Sequence, residues 1–280
     1  MVSKKTDKFQ HPPDIRLPNN PLIEAWLEIQ WKLAESDIPN FKTDPYYPFA
    51  LGVFYNQVKD VFGFHEELPA SKAPEMMLPH IPQHRFRTAK DGWPLLQIGP
   101  GVATINFSKP YSWSEFKEKA LYLQQKLIQA YSDGKFETQA IILRYRNGYP
   151  FEYSTSNLLD FLKEKLNFSI SLPKGIPGYI STKPYPSNSN IIFKYMLDKP
   201  QGSGKILIGT ALRNEADVQG NILHRELIFW EFELASTDDF APDIKNTDKF
   251  IEWLDSAHSV IHEWFFSIVE GELLENFSKG

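Results

Sequence analysis

Pro21-Leu-Ile-Glu-Ala-Trp-Leu-Glu-Ile-Gln-Trp31 alternates with a period of two. Ile23, Ala25, Leu27, Ile29 and Trp31 fall on one side, and Glu24, Trp26, Glu28 and Gln30 on the other. Successive side chains of a strand point to opposite faces, so the run predicts a half-buried strand with one apolar and one charged face. A helix is not excluded over so short a run, but the alternation favours strand. Further along, residues 138–146 repeat the pattern, with Ile141, Leu143 and Tyr145 opposing Ile142, Arg144 and Arg146. Residues 95–98 and 102–107 flank Gly99-Pro100-Gly101, where Pro followed by Gly suits a type II turn and a tight strand connection. Residues 168–172, 190–198, 205–212 and 225–235 also read as strands, with 198–204 as a hairpin loop. In the last of these, Phe229, Trp230 and Phe232 put aromatics on both faces, as in a strand covered on each side.

Helical signals are fewer. Ser112 and Glu115 make a capping box, followed by Phe116, Ala120, Leu123 and Leu127 at helical spacing and a stop at Asp133-Gly134. Residues 47–61 predict a helix with Phe49, Val53, Gln57 and Val58 on one face. A short helix is expected at 157–166 and one long helix at 247–276, with 68–94 irregular. Because strands come in runs, the class is α+β: a mostly antiparallel sheet packed by long helices. The expected organisation is a polar arm at 1–20, a first half at 21–153 and a second half at 154–280. The halves are either similar units each ending in a helix or parts of a single domain.

Composition narrows the function. Lys+Arg 30 against Asp+Glu 35 gives a net charge of −5, with 42% hydrophobic and 14% aromatic residues. That excludes a disordered chain and argues against a dedicated nucleic-acid binder, which would carry a basic excess. The chain has no cysteine, removing disulfides, thiolate metal sites and Cys nucleophiles together. Met1 to Gln10 is followed by no apolar h-region, and nowhere do about 18 apolar residues run together. A cytoplasmic protein without a membrane span is expected.

Four segments carry a resemblance: 17–31 (LPNNPLIEAWLEIQW), 97–106 (QIGPGVATIN), 143–147 (LRYRN) and 258–268 (HSVIHEWFFSI). Together they resemble a sporadically distributed family of uncharacterised prokaryotic proteins of about this length. The resemblance implies a prokaryotic protein of horizontally moving type and supplies no catalytic residues. A scattered distribution would suit an accessory of a mobile defence or toxin–antitoxin type locus.

The side chains offer several candidate sites. His258 and His262 lie four apart on the last helix, a zinc-compatible spacing. Ser259 stands where a zincin has Glu, so a hydrogen-bonded structural pair is the better account. His80 and His84, with His65, Glu66 and Glu67 upstream, raise the same question in a loop. Gly202-Ser-Gly-Lys205 fails as a phosphate loop, since Ile206 stands where Ser or Thr should hold Mg²⁺. Glu24, Trp26 and Glu28 share one strand face, and Arg144 and Arg146 share another. If the two strands are neighbours, these residues line either a ligand groove suited to a carboxylate or phosphate, or a set of cross-strand ion pairs. The apolar arc of the last helix runs from Trp253 through Val260 and Trp264 to Ile251, wider than one core contact needs, and Phe266 lies outside even that arc, so that helix is either sandwiched by the fold or meets a partner.

No catalytic residues and no cofactor are assigned. The reading is a non-enzymatic protein-binding accessory component, whose partner is another protein or a second copy. The alternatives are an enzyme or small-ligand binder using the Glu/Arg face, and a nucleic-acid-associated protein.

Overall fold

β1 (Leu22–Trp31) is the fifth strand of a nine-stranded antiparallel sheet. The computed structural model describes residues 12, 15–73, 78–132, 136–153, 155–171, 173, 189–216 and 222–279, and the backbone only of 213–216 and 222–223. The remaining strands of the sheet are β4 (Phe64–Glu67), β5 (His84–Arg87), β6 (Leu95–Gly99), β7 (Val102–Phe107), β8 (Thr138–Pro150), β9 (Asn190–Asp198), β10 (Gln201–Ala216) and β11 (Ile222–Thr237). They run in the order β4-β5-β6-β7-β1-β8-β11-β10-β9. β2 (Ala34–Glu35) and β3 (Lys42–Thr43) form a separate two-stranded ribbon. The α+β expectation holds. Strands from 21–153 and from 154–280 share this one sheet, because β8 pairs with both β1 and β11.

Among the described residues the α-helices are α1 (Tyr47–Val58), α2 (Trp113–Ala130), α3 (Leu158–Lys165), α4 (Thr247–Ile268) and α5 (Gly271–Ser278). All five gather on one face of the sheet. Under them Ala25, Leu27 and Ile29 of β1, Ile141 and Leu143 of β8, and Trp230, Phe232 and Leu234 of β11 are fully buried. Phe116, Leu123 and Leu127 of α2 and Phe250, Leu254 and Ala257 of α4 close on them. At about 1.5–3 kcal/mol for each large apolar side chain removed from water, this shared layer is the main favourable term of the fold. Two local bonds set the helix starts: Ser112 accepts from the N–H of Glu115 at 3.3 Å, and Asn246 from that of Lys249 at 3.1 Å. Among the described residues, no helix is long and apolar enough to cross a membrane.

Several expectations need correction. A register shift between Leu22 and Glu24 seats Leu22 in the core and leaves Ile23 half-buried over Gly148. α1 forms, but it buries Tyr47, Ala50, Phe54 and Val58 and leaves Phe49 76% exposed. Both stripes are apolar, so periodicity could not choose between them. Residues 168–171 and 173 form no strand, and 172 lies outside the described residues, as do Asp133 and Gly134. The 198–204 loop is a two-residue turn, Lys199-Pro200, with Gly202, Gly204 and Lys205 already in β10. The C-terminal helix is two helices: Val269 packs into the core, and Gly271 takes φ +56°, where glycine pays no steric penalty. β11 is not covered alike on both sides. Trp230 and Phe232 face the helices, while Phe229, Glu231 and Glu233 lie on the face the helices leave open.

Candidate functional site: the charged sheet face and the histidine-lined cavity

The register of β1 and β8 sets Glu24 opposite Arg146 and Trp26 opposite Arg144, and that of β8 and β11 sets Arg146 opposite Glu231 and Arg144 opposite Glu233. All five residues expected to share a face are therefore brought together, on the side away from the helices. Arg144 donates Nη1 to Glu28 at 2.8 Å and Nε to Glu233. Arg146 donates Nη2 to Glu231 at 2.6 Å and Nε to the same oxygen at 2.9 Å. Lys205 of β10 reaches Glu233 at 2.8 Å and Glu231 at 3.6 Å. Glu24 accepts from Asn106 Nδ2 at 2.8 Å, and Asn106 in turn accepts from Thr104 at 2.6 Å. Both guanidinium carbons lie over Trp26, at 5.6 Å for Arg144 and 5.4 Å for Arg146. Phe229 closes on Arg146 from the other side at 5.7 Å, so this cation is sandwiched between two rings.

The electrostatics follow from that lattice. Burial opposes charge on Arg144, but Glu28 and Glu233 outweigh it and raise its pKa. Burial likewise opposes ionisation of Glu233, and Arg144 and Lys205 overcome it, holding the carboxyl below its ordinary range. Each guanidinium thus already grips a carboxylate of its own chain. Glu231, Glu233 and Lys205 escaped the sequence reading. Their alternation with Trp230 and Phe232 was visible, but nothing in a single sequence says that β11 lies beside β8.

No family model matches the chain, and no curated protein matches it. The geometry of its remaining candidate residues therefore stands alone.

His258 and His262 have separate employment. The His258 ring lies parallel to that of Trp113, centroids 3.8 Å apart and planes 4° apart, with Nδ1 hydrogen-bonded to the Tyr145 hydroxyl at 3.1 Å. Tyr145 bonds in turn to Tyr111, and burial raises its pKa. His262 donates Nε2–H to the carbonyl of Pro12 at 3.0 Å, tying that residue to α4. In the loop set, His80 donates to the carbonyl of Gly101 at 2.9 Å, while His65 and His84 meet on β4 and β5 with Nε2 and Nδ1 3.0 Å apart. Among the described residues, no group of three or more His, Cys, Asp or Glu could hold a metal ion.

The aromatic residues proposed for a partner lie as follows. Trp253 is 5% exposed and donates Nε1–H to Ser236 at 2.8 Å, so it belongs to the core and offers a partner no surface. Trp264 is half-buried against Gly204, Tyr195 and Phe232. Phe266 is half-buried beside His262 and, with His258, Tyr145 and Asn147, lines a cavity of about 110 Å³ between α4 and residues 15–22. Sequence reasoning missed that cavity because its walls come from five distant segments.

Proposed function

We propose that this chain is a non-catalytic protein-binding component that docks an extended segment of a partner protein along the outer edge of β9. The observation that carries the reading is the exposure of that strand. β9 ends the sheet, and among the described residues no strand pairs its outer side. Along it Ile192 is 55%, Tyr195 45% and Met196 83% exposed. A long apolar edge of this kind is an aggregation hazard unless something covers it, and strand addition is the usual way it is used. Lys194, exposed at the middle of the strand, selects the occupant. A second copy paired antiparallel about the strand centre would set Lys194 against Lys194, whereas a partner strand with a central acidic residue between apolar ones would neutralise it. The charged face supports a binding rather than a chemical role, since its carboxylates and guanidiniums are engaged with one another. By the resemblance noted above, such a component would serve a mobile defence or toxin–antitoxin type locus.

The test is native mass spectrometry of the chain purified from its own host as wild type, as Met196→Lys and as Arg144→Ala. A protein partner retained by wild type and Arg144→Ala but lost by Met196→Lys supports the reading. A partner lost with Arg144→Ala alone would move the function to the arginine face, and a homodimer would overturn the Lys194 argument.

A further inference from the structure

We propose that the cavity between α4 and residues 15–22 binds a short-chain aliphatic carboxylate, its acid group at the mouth on Arg16 and its tail between the apolar walls. This goes beyond strand docking, concerns the helix-covered side of the sheet, and stands or falls independently of β9.

Charge around the opening sets the sign of the ligand. The chain carries 35 acidic residues against 30 basic ones, yet among the described residues no Asp or Glu lines this cavity. Arg16 lines it, is exposed, and makes no ion pair or hydrogen bond among the described residues. Arg85, Arg87, Arg144 and Arg146, by contrast, each face a carboxylate of the chain. A guanidinium with its fork free is suited to bidentate capture of a carboxylate. Two further donors line the same space. Asn20 accepts the N–H of Leu22 on its carboxamide oxygen at 3.3 Å, and Ser112 that of Glu115 on its hydroxyl oxygen at 3.3 Å, so the NH₂ and the O–H remain to donate. Burial opposes ionisation of Tyr145, so its hydroxyl adds no competing negative charge.

The interior selects the tail. Trp113, Phe232 and Ile261 are buried and line it, and half-buried Phe265 joins them. A volume of about 110 Å³ falls short of the roughly 150 Å³ that admits benzene and equals about four water-sized groups, so the ligand is aliphatic and about three or four carbons long. Such walls hold methylene groups well and a charge badly, which leaves the carboxylate at the exposed guanidinium. Inorganic phosphate would satisfy Arg16 but leave these walls unfilled.

The probes are acetate, propionate, butyrate and hexanoate, with butyramide as the neutral counterpart of butyrate. They are titrated into the full chain and followed by NMR on the Trp113 indole resonances. Affinity should rise about fourfold per methylene up to butyrate, the worth of one buried CH₂, and gain nothing further at hexanoate. Butyramide should bind about tenfold more weakly than butyrate, the scale of a hydrogen bond to a charged group. Arg16→Gln, an exposed substitution that spares the core, should bring butyrate down to the level of butyramide. Absence of butyrate binding at millimolar concentration overturns the proposal. So do equal affinity for acid and amide, butyrate binding untouched by Arg16→Gln, and a chain-length series that is flat or keeps climbing through hexanoate.

Discussion

Trp31 donates its indole N–H to the carboxylate of Asp44 across 2.8 Å, with both side chains buried. The same oxygen accepts from the Tyr131 hydroxyl at 2.8 Å and from the N–H of Gly101 at 3.3 Å. The other accepts from the N–H groups of Tyr46 and Tyr47 at the start of α1, at 3.2 and 3.1 Å. One side chain thus ties the end of β1, the β6–β7 turn, the end of α2 and the start of α1. Asp44→Ala leaves several donors unpaired, each worth about 1–3 kcal/mol when buried. A loss of about 3–5 kcal/mol in urea unfolding, with unchanged m, is expected; a loss under about 1 kcal/mol would mean the donors find other acceptors.

Arg144 supports two carboxylates at once, and the three side chains are each about a fifth exposed or less. Removing one member of a fully buried ion pair costs about 3–5 kcal/mol, and the partial exposure here lowers the figure for Arg144→Ala to about 2–3 kcal/mol. Adding Glu28→Gln removes the charge that loses its cationic partner, since Glu233 keeps Lys205 at 2.8 Å, and should recover about half. A double-mutant cycle measures this, and simple additivity of the two losses would contradict the shared lattice.

The sequence showed some levels of this organisation and hid others. Alternation in 21–31 and 138–146 placed Glu24, Trp26, Glu28, Arg144 and Arg146 on the correct faces, because a period of two is set by the strand itself. The Gly99-Pro100-Gly101 turn was equally local, and Gly101 takes φ +74° as a type II turn demands. What failed depended on context. The buried side of α1 was decided by α2, since Phe49 and Phe54 are equally apolar. The break after Ile268 was hidden by apolar spacing that continues through Leu273 and Phe277.

Acid should destabilise the protein in two phases. Burial and the neighbouring His65 lower the His84 pKa below its ordinary 6.5. The unfolded chain therefore takes up this proton first, and stability falls as pH drops below about 6.5 toward the lowered folded value. Glu233, held below its ordinary 4.5 in the fold, contributes stability above that range, which is lost as pH falls through its folded value. In a series of melting temperatures from pH 8 to 3, His84→Gln should remove the first phase and leave the second. An unaltered profile would show that the His65–His84 contact does not resist protonation.

At Gly204 of β10 the Trp264 side chain of α4 lies close against the sheet. A Cβ there would lie 2.4 Å from Cη2 of Trp264 and 3.2 Å from Cδ1 of Leu197. The indole is braced by Tyr195 at 5.7 Å and Phe232 at 6.3 Å between ring centroids, so it cannot simply lift away. Gly204→Ala should therefore cost about 1–3 kcal/mol, the usual range for overpacking, and shift tryptophan fluorescence to the red as Trp264 moves toward water. The cause is separable from strand propensity, which also changes with the substitution. In a Trp264→Leu background the clash is gone, and the cost of Gly204→Ala should shrink to under about 1 kcal/mol or turn favourable, since alanine suits a strand better than glycine. An undiminished cost in that background would place the strain in β10 itself and free α4 of the role assigned to its Trp264.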